Sequence, residues 1–361
     1  CYTNCTSCVF DFGPELDESF VLFMDDPLVG KGGEVEQESW EGYTKIYTVE
    51  DLMGIAENPE GKYVLMNKID LVGVDWMPLS TWAPFTGTLE GNGNEISNLT
   101  LTDTNAVTED GPTFGLIATA AEGAVFSNLV FTDALVDLSL TSDESAAVGV
   151  ICGRTQGSVT FDNCDVSAKV IVKALGDVQA GSLCGMAQFG DTLSFDGCTV
   201  KGYLTVSTLD GVADVGGLCG VAYNVDHVYA TDCNSSSDIE ANHEYDDTAV
   251  SYDWYEGKQW GINAGGLLGS VVSDVTGCEL LAQRCQQEGT ITCTMTNGSV
   301  GSDCKVWVSK GGCAGSVELV TGSSAGESEC AWSNLGDVSV DNEDTCATFL
   351  ESDAWGRLVM M

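Results

Sequence analysis

Gly149-Val-Ile-Cys-Gly153, Gly181-Ser-Leu-Cys-Gly185 and Gly216-Gly-Leu-Cys-Gly220 are three copies of one glycine-framed motif. A related frame precedes them, Gly111-Pro-Thr-Phe-Gly115, and two follow, Gly265-Gly-Leu-Leu-Gly269 and Gly311-Gly-Cys-Ala-Gly315. The first five frames are each trailed by a second block: Phe126-Ser-Asn-Leu129, Phe161-Asp-Asn-Cys164, Phe195-Asp-Gly-Cys198, Ala230-Thr-Asp-Cys233 and Val275-Thr-Gly-Cys278. Self-similarity at a period of a few tens of residues marks a solenoid, in which each repeat packs only on its neighbours.

The repeats read as strands. Ser158-Val-Thr-Phe161, Thr192-Leu-Ser-Phe195, Val170-Ile-Val172 and Tyr203-Leu-Thr-Val206 alternate or cluster apolar residues between Gly, Asp and Asn. Such short runs bounded by turn formers are half-buried strands, and a glycine recurring at one place in each unit marks a tight corner. The fold expected is an all-β parallel β-helix. Superposing the units stacks Phe114, Cys152, Cys184, Cys219, Leu268 and Ala314 in one column, and Leu129, Cys164, Cys198, Cys233 and Cys278 in another. Rungs in such a ladder lie about 4.8 Å apart. Upstream, Thr48 with Asp51 three residues on forms a capping pair ahead of Leu52, Ile55 and Ala56, which predicts a small helical cap over the first rung.

The stretch from Tyr43 to Leu101 contains Tyr63-Val-Leu-Met-Asn-Lys-Ile-Asp-Leu71, Trp76-Met-Pro78 and Phe85-Thr-Gly-Thr-Leu-Glu-Gly-Asn-Gly-Asn-Glu-Ile-Ser-Asn-Leu99. It resembles the opening of secreted and cell-surface proteins that carry GLUG-type repeats, and the Gly-Gly-Leu-Cys-Gly frames resemble the repeat itself. The likeness covers roughly residues 43–280 and implies a right-handed parallel β-helix in a secreted or surface protein, often adhesive. Lys68 stands where that family commonly has Asp, and the use of Cys is heavier. The resemblance carries over no catalytic residue. Three segments follow: an N-terminal Cys-containing arm (1–44), the β-helix with its cap (45–280) and Cys-rich C-terminal rungs (281–361).

Composition bounds the partners. The net charge is −42, from 55 acidic and 13 basic side chains, which excludes nucleic acid and an anionic membrane surface as partners. No run of about eighteen apolar residues offers a membrane span, and Cys1 at the start suggests a processed chain. The acids are scattered, with no repeated Asp-x-Asp loop, so no cofactor is expected, calcium being the one candidate.

Sixteen cysteines with only two histidines give no zinc spacing, and they favour an oxidising, extracellular or cell-surface location. Cys152 with Cys164, Cys184 with Cys198 and Cys219 with Cys233 are candidate disulfides across a rung. The competing reading is that these thiols are reduced, buried and stacked. Asn4, Asn98, Asn234 and Asn297 head N-glycosylation triplets.

Two further segments suggest binding. Tyr245, Tyr252, Trp254, Tyr255 and Trp260 interleave with acids in an insertion and offer stacking platforms for cell-surface glycans or a neighbouring subunit. In the arm, Cys1, Cys5 and Cys8 accompany the apolar run Phe20, Val21, Leu22 and Phe23, suited to strand addition onto a second copy. No nucleophile elbow, His-Glu-x-x-His or triad occurs. The sequence therefore predicts no enzyme. It predicts an extracellular, glycosylated, homopolymeric fibre subunit, with an adhesin or carbohydrate-binding β-helix as the alternative and a polysaccharide-degrading enzyme behind both.

Overall fold

The computed structural model describes residues 40–102, 107–244, 259–296, 305–333, 336–341, 348–352 and 354–360. The chain divides into two units, Cys1–Gly42 and Tyr43–Met361. Of the first only residues 40–42 are described, so the arm candidates Cys1, Cys5, Cys8, Phe20, Val21, Leu22 and Phe23 lie outside the described residues.

Tyr43–Met361 is a parallel β-helix. One turn shows the plan. Ala146–Val148 runs in a third sheet and Cys152–Gln156 opens the first sheet. Val159–Asp162 continues that sheet in a second ladder, Asp165–Ala174 crosses the second sheet, and Val178–Gly181 returns to the third. Every pairing in the three sheets is parallel except Val107–Thr108 with Gly111–Phe114, a hairpin at the start of the third sheet. Register is kept over long spans, as from Asp165↔Thr199 to Ala174↔Thr208. The ladders run on past residue 280, where Leu268 pairs with Ala314 and Ala314 with Trp355.

The interior is a set of columns. Val136, Val170, Leu204, Ile239 and Ile291 are successive partners, all buried. Phe85, Phe126, Phe161 and Phe195 stack with ring centroids 5.2–5.5 Å apart and planes 17–29° off parallel. Aromatic pairs at this spacing add about 0.5–1.5 kcal/mol beyond their buried area. Polar groups enter the columns too. His243, partnered by Thr208 and Met295, is fully buried with neither ring nitrogen hydrogen-bonded, and burial pushes its pKa down to about 4. Lys310 follows Ala264 in a buried column and donates to the Gly336 carbonyl at 2.9 Å.

Two kinds of corner let the chain turn. At the first, a Cβ on Gly185 would lie 2.2 Å from the Val148 amide nitrogen, so only glycine fits. At the second, Asn128, Asn163, Gly197, Asp232, Arg284 and Glu329 all take φ between 50° and 61°, the left-handed region that Asn, Asp and Gly tolerate best. Asn163 Nδ2 donates to Asn128 Oδ1 at 2.7 Å, and Asn128 Nδ2 donates to the buried Glu90 at 3.1 Å. The expected cap is present: Thr48 and Asp51 form a reciprocal capping box for the helix Val49–Met53, which buries Leu52.

Three sequence expectations need correction. The frame at Gly115 is offset, because Phe114 pairs with Val148 and Ile117, not Phe114, is the partner of Cys152. Cys285, not Cys278, continues the second cysteine column, since Gln286 donates to the Cys233 carbonyl. The proposed bridges Cys152–Cys164, Cys184–Cys198 and Cys219–Cys233 do not form. All six thiols are free and buried. Cys184 opens the 13-residue strand Cys184–Asp196 and Cys198 lies just past its far end, so the extended strand holds them beyond the Cα separation of about 7 Å that a disulfide allows. Each cysteine stacks instead on its equivalent in the next rung, Cys152 on Cys184 and Cys184 on Cys219.

Replacing Phe161 by Ala removes the middle of the ring stack. The expected loss is about 3–5 kcal/mol in urea unfolding, against less than about 0.5 kcal/mol for the outward Thr160→Ala. Equal effects would show that the stack does not carry the core.

Candidate functional site

The outer face of the first sheet carries a row of aromatics on two adjacent long strands, Cys184–Asp196 and Cys219–Thr231. His227 and Tyr229 alternate with the buried Val228 and Ala230, so both point outward. Their rings lie 5.7 Å apart and 17° from parallel. Tyr229 donates its hydroxyl to Glu279 Oε2 at 2.7 Å, a bond that holds the phenol protonated above its ordinary range. The same carboxylate lies 3.6 Å from His227 Nδ1. Where the two ladders of the sheet meet, Phe189 is 63% exposed and packs edge-on against Tyr223 at 5.7 Å. Phe189 has φ 54°. Gly157 and Asn224, at the same place in the neighbouring rungs, also take positive φ (93° and 50°), so this is the bend between the two ladders, occupied here by a bulky residue.

Beside it, at the glycine corner, side chains of the third sheet meet those of the first. Asp214 accepts from Asn263 Nδ2 at 2.9 Å and from Ser270 across the corner, and Trp307 Nε1 donates to Asn263 Oδ1 at 3.0 Å. Two rungs back, Arg154 donates to Gln188 Oε1, to the Met186 sulfur and to the Asp110 carbonyl, at 3.3, 3.0 and 3.0 Å. Its guanidinium is thus a buried clamp. Burial raises the Asp214 carboxyl to about 6, with Asn263 and Ser270 opposing and the charges of Asp177 and Glu318 adding to the rise. Such an acid exchanges a proton near neutral pH. Among the described residues no three His, Cys, Asp or Glu side chains are grouped to hold a metal.

The residues singled out in the sequence are not gathered into one site. Trp260 is buried, donates to Asp210 Oδ1 at 2.8 Å and packs on His243 at 5.8 Å, so it closes the core and offers no stacking platform. Tyr245, Tyr252, Trp254 and Tyr255 lie outside the described residues, as do Asn4 and Asn297. Asn98 donates its amide to Asp70 at 2.7 Å in a left-handed turn, and Asn234 stands half-buried with its Oδ1 buried. Sequence reasoning missed the aromatic row, whose members are single residues in separate units; the outward parity of His227 and Tyr229 was the available signal.

No protein-family model and no curated protein matches the chain. One solved structure that it resembles is that of a "putative immunoglobulin A1 protease from Bacteroides ovatus", at TM-score 0.50 and 16% identity, covering 88% of this chain and 84% of that one. At that identity the likeness shows the fold, a parallel β-helix, and transfers no catalytic role. It overturns the expectation that the chain is not an enzyme, because the same architecture is found in a protein described as a protease, and scaffold shape gives no ground for denying activity.

Asp214 yields a pH test. Its native pKa of about 6 lies above the ordinary carboxyl value of 3.8, so its contribution to stability is full below pH 3.8 and is lost as pH rises through 6. Asp214→Asn removes that loss. The variant is expected to gain about 2–3 kcal/mol over the parent at pH 8 and nothing at pH 3.5, read by denaturant unfolding at both values. A gain independent of pH would refute the buried-acid reading.

Proposed function

We propose that this chain is an extracellular structural protein, a subunit of a surface fibre in which β-helices stack end to end. The observation that carries the reading is the character of the two strands that end the second ladder of the first sheet. Thr44–Ile46 pairs only with Lys62–Leu65 among the described residues, and Ser324–Ser328 only with Glu279–Gln283. Lys45 is exposed on the first strand, while Glu327 and Glu329 are exposed at the last. Following the ladder from Lys45 through Val64, Glu90, Ser127, Asp162, Asp196, Thr231 and Gln283 leads to Ser328. A second copy laid on the last strand in this register therefore sets Lys45 over Ser328, one residue along the chain from each of the exposed acids Glu327 and Glu329. The same charges blunt both edges against indiscriminate pairing, and a heterologous contact of this kind propagates as a filament. The resemblance to GLUG-type surface proteins agrees with a location outside the cell. The cysteine content no longer bears on it, since buried packing accounts for the ladder thiols.

The test is negative-stain microscopy and sedimentation velocity of the full chain. Lys45→Glu is expected to weaken association at least about tenfold at low salt, and adding Glu327→Lys and Glu329→Lys to the same chain is expected to restore it. A parent chain that stays monomeric at every salt concentration sinks the proposal.

The aromatic row favours a second reading, attachment to neutral glycans, since the strong negative charge disfavours anionic ones. Phe189→Ala together with Tyr223→Ala is then expected to lower binding on a neutral-glycan array by about tenfold or more, because stacking on aromatics contributes much of such contacts. Unchanged binding would remove the row from consideration.

A further inference from the structure

The second cysteine column is continuous over five rungs. The amides of Thr199, Asn234, Gln286 and Ala331 donate to the carbonyls of Cys164, Cys198, Cys233 and Cys285 at 2.8, 2.8, 2.9 and 2.9 Å. That places Cys164, Cys198, Cys233, Cys285 and Cys330 directly above one another, all with free thiols. At the last step the Cys285 amide nitrogen lies 3.4 Å from Cys330 Sγ.

We propose that Cys285 and Cys330 form a conditional disulfide that locks the last rung of this column to the body of the β-helix. Adjacent rungs set their Cα atoms about 4.8 Å apart, inside the 4.4–6.8 Å range of disulfides, while their parallel Cβ atoms stand slightly wider than the usual spacing. The rung must draw in by a few tenths of an ångström. An interior pair is held off by rungs on both sides. The strand Ala331–Trp332 after Cys330 pairs only with Gln286–Gln287 among the described residues, so this rung is free to give. Cys330 is half-buried, whereas the other four are fully buried. Reagents therefore reach the column at this end.

The chemistry balances as thiol–disulfide exchange with a small-molecule disulfide. The Cys330 thiolate attacks one sulfur of the oxidant, forming a mixed disulfide and releasing one thiol. The Cys285 thiolate then attacks the Cys330 sulfur and releases the second. Two protein thiols lose two electrons and two protons, which leave on the two released small thiols. Cys285 suits the resolving role, because hydrogen bonding from Cys233 stabilises its thiolate and pulls its pKa down against the effect of burial. Burial pushes the Cys330 thiol up, so the entry step needs alkaline pH or time. The closed loop would span 45 residues, long enough for the bridge to restrict opening of the end rung substantially.

The full chain is incubated with oxidised glutathione at pH 8, trapped with acid and mapped by mass spectrometry without reduction. The expected result is a cross-linked peptide joining Cys285 to Cys330, with amide exchange over residues 324–333 slowed at least about tenfold relative to the reduced protein. Cys330→Ser should abolish both effects and Cys152→Ser, in the other column, neither. Circular dichroism melts confirm that each variant folds. Three results would each overturn the proposal: glutathione retained on Cys330, a bridge from Cys330 to any other cysteine, or a Cys285–Cys330 bridge without slowed exchange.

Discussion

The structure depends on one constraint: parallel rungs repeat every 4.8 Å or so, and every side chain must fit directly above its counterpart. A column therefore accepts residues of one size and shape, or a graded series of them. The phenylalanine stack obeys this by matched rings. The thiol columns obey it by small, polarisable atoms that pack without a directional demand and hydrogen-bond weakly to carbonyls such as that of Phe126, 3.5 Å from Cys164 Sγ. Glycine at one corner and left-handed Asn, Asp or Gly at the other serve the same end, since each lets the chain turn without changing the rise of the rung.

Much of this was legible in the sequence, because stacking writes itself as repetition. The Phe-x-Asn-Cys block encodes a buried ring, a left-handed corner and a buried thiol in four consecutive residues, as at Phe161, Asn163 and Cys164. The Thr48–Asp51 capping box was equally readable, being local. The errors came where similarity of residues diverged from identity of place. Val275-Thr-Gly-Cys278 mimics the block, yet the structural equivalent is Ala282-Gln-Arg-Cys285, where Arg284 takes the left-handed corner against composition and pairs with Asp232 at 2.6 Å. The disulfide candidates failed because nearness along the chain was read as nearness in space, whereas a long extended strand lies between the partners. The aromatic row left only the outward alternation of His227 and Tyr229, and the buried Asp214 left no local signature. They arise from residues 34 to 50 positions apart meeting across rungs, as Tyr229 and Glu279 do.

Charge is partitioned as strictly as shape. Inside the coil, ionisable groups are held by specific partners or by desolvation, as with Lys310 on the Gly336 carbonyl and His243 against Trp260. Outside, acids dominate, and the few bases tend to pair with them, Lys68 with Glu95 at 3.1 Å and Arg284 with Asp232. Exposed pairs of this kind contribute little to stability individually, so the acidic surface sets how the molecule meets others and leaves the fold to the columns.

The spacing between equivalent residues is not constant, and that has an evolutionary consequence. Cys184 and Cys219 are register partners 35 positions apart, while Asp214 and Asn263, partners one rung apart in the same way, are separated by 49. The axial rise is the same in both cases, so the ladder accepts turns of different length without changing the register of its strands. Lengthening a closed loop costs only about 0.6 kcal/mol per doubling. A lineage built on this coil can therefore try out turns of new length one at a time, each almost neutral to the stability of the rest, and selection on the added residues proceeds without renegotiating the interior.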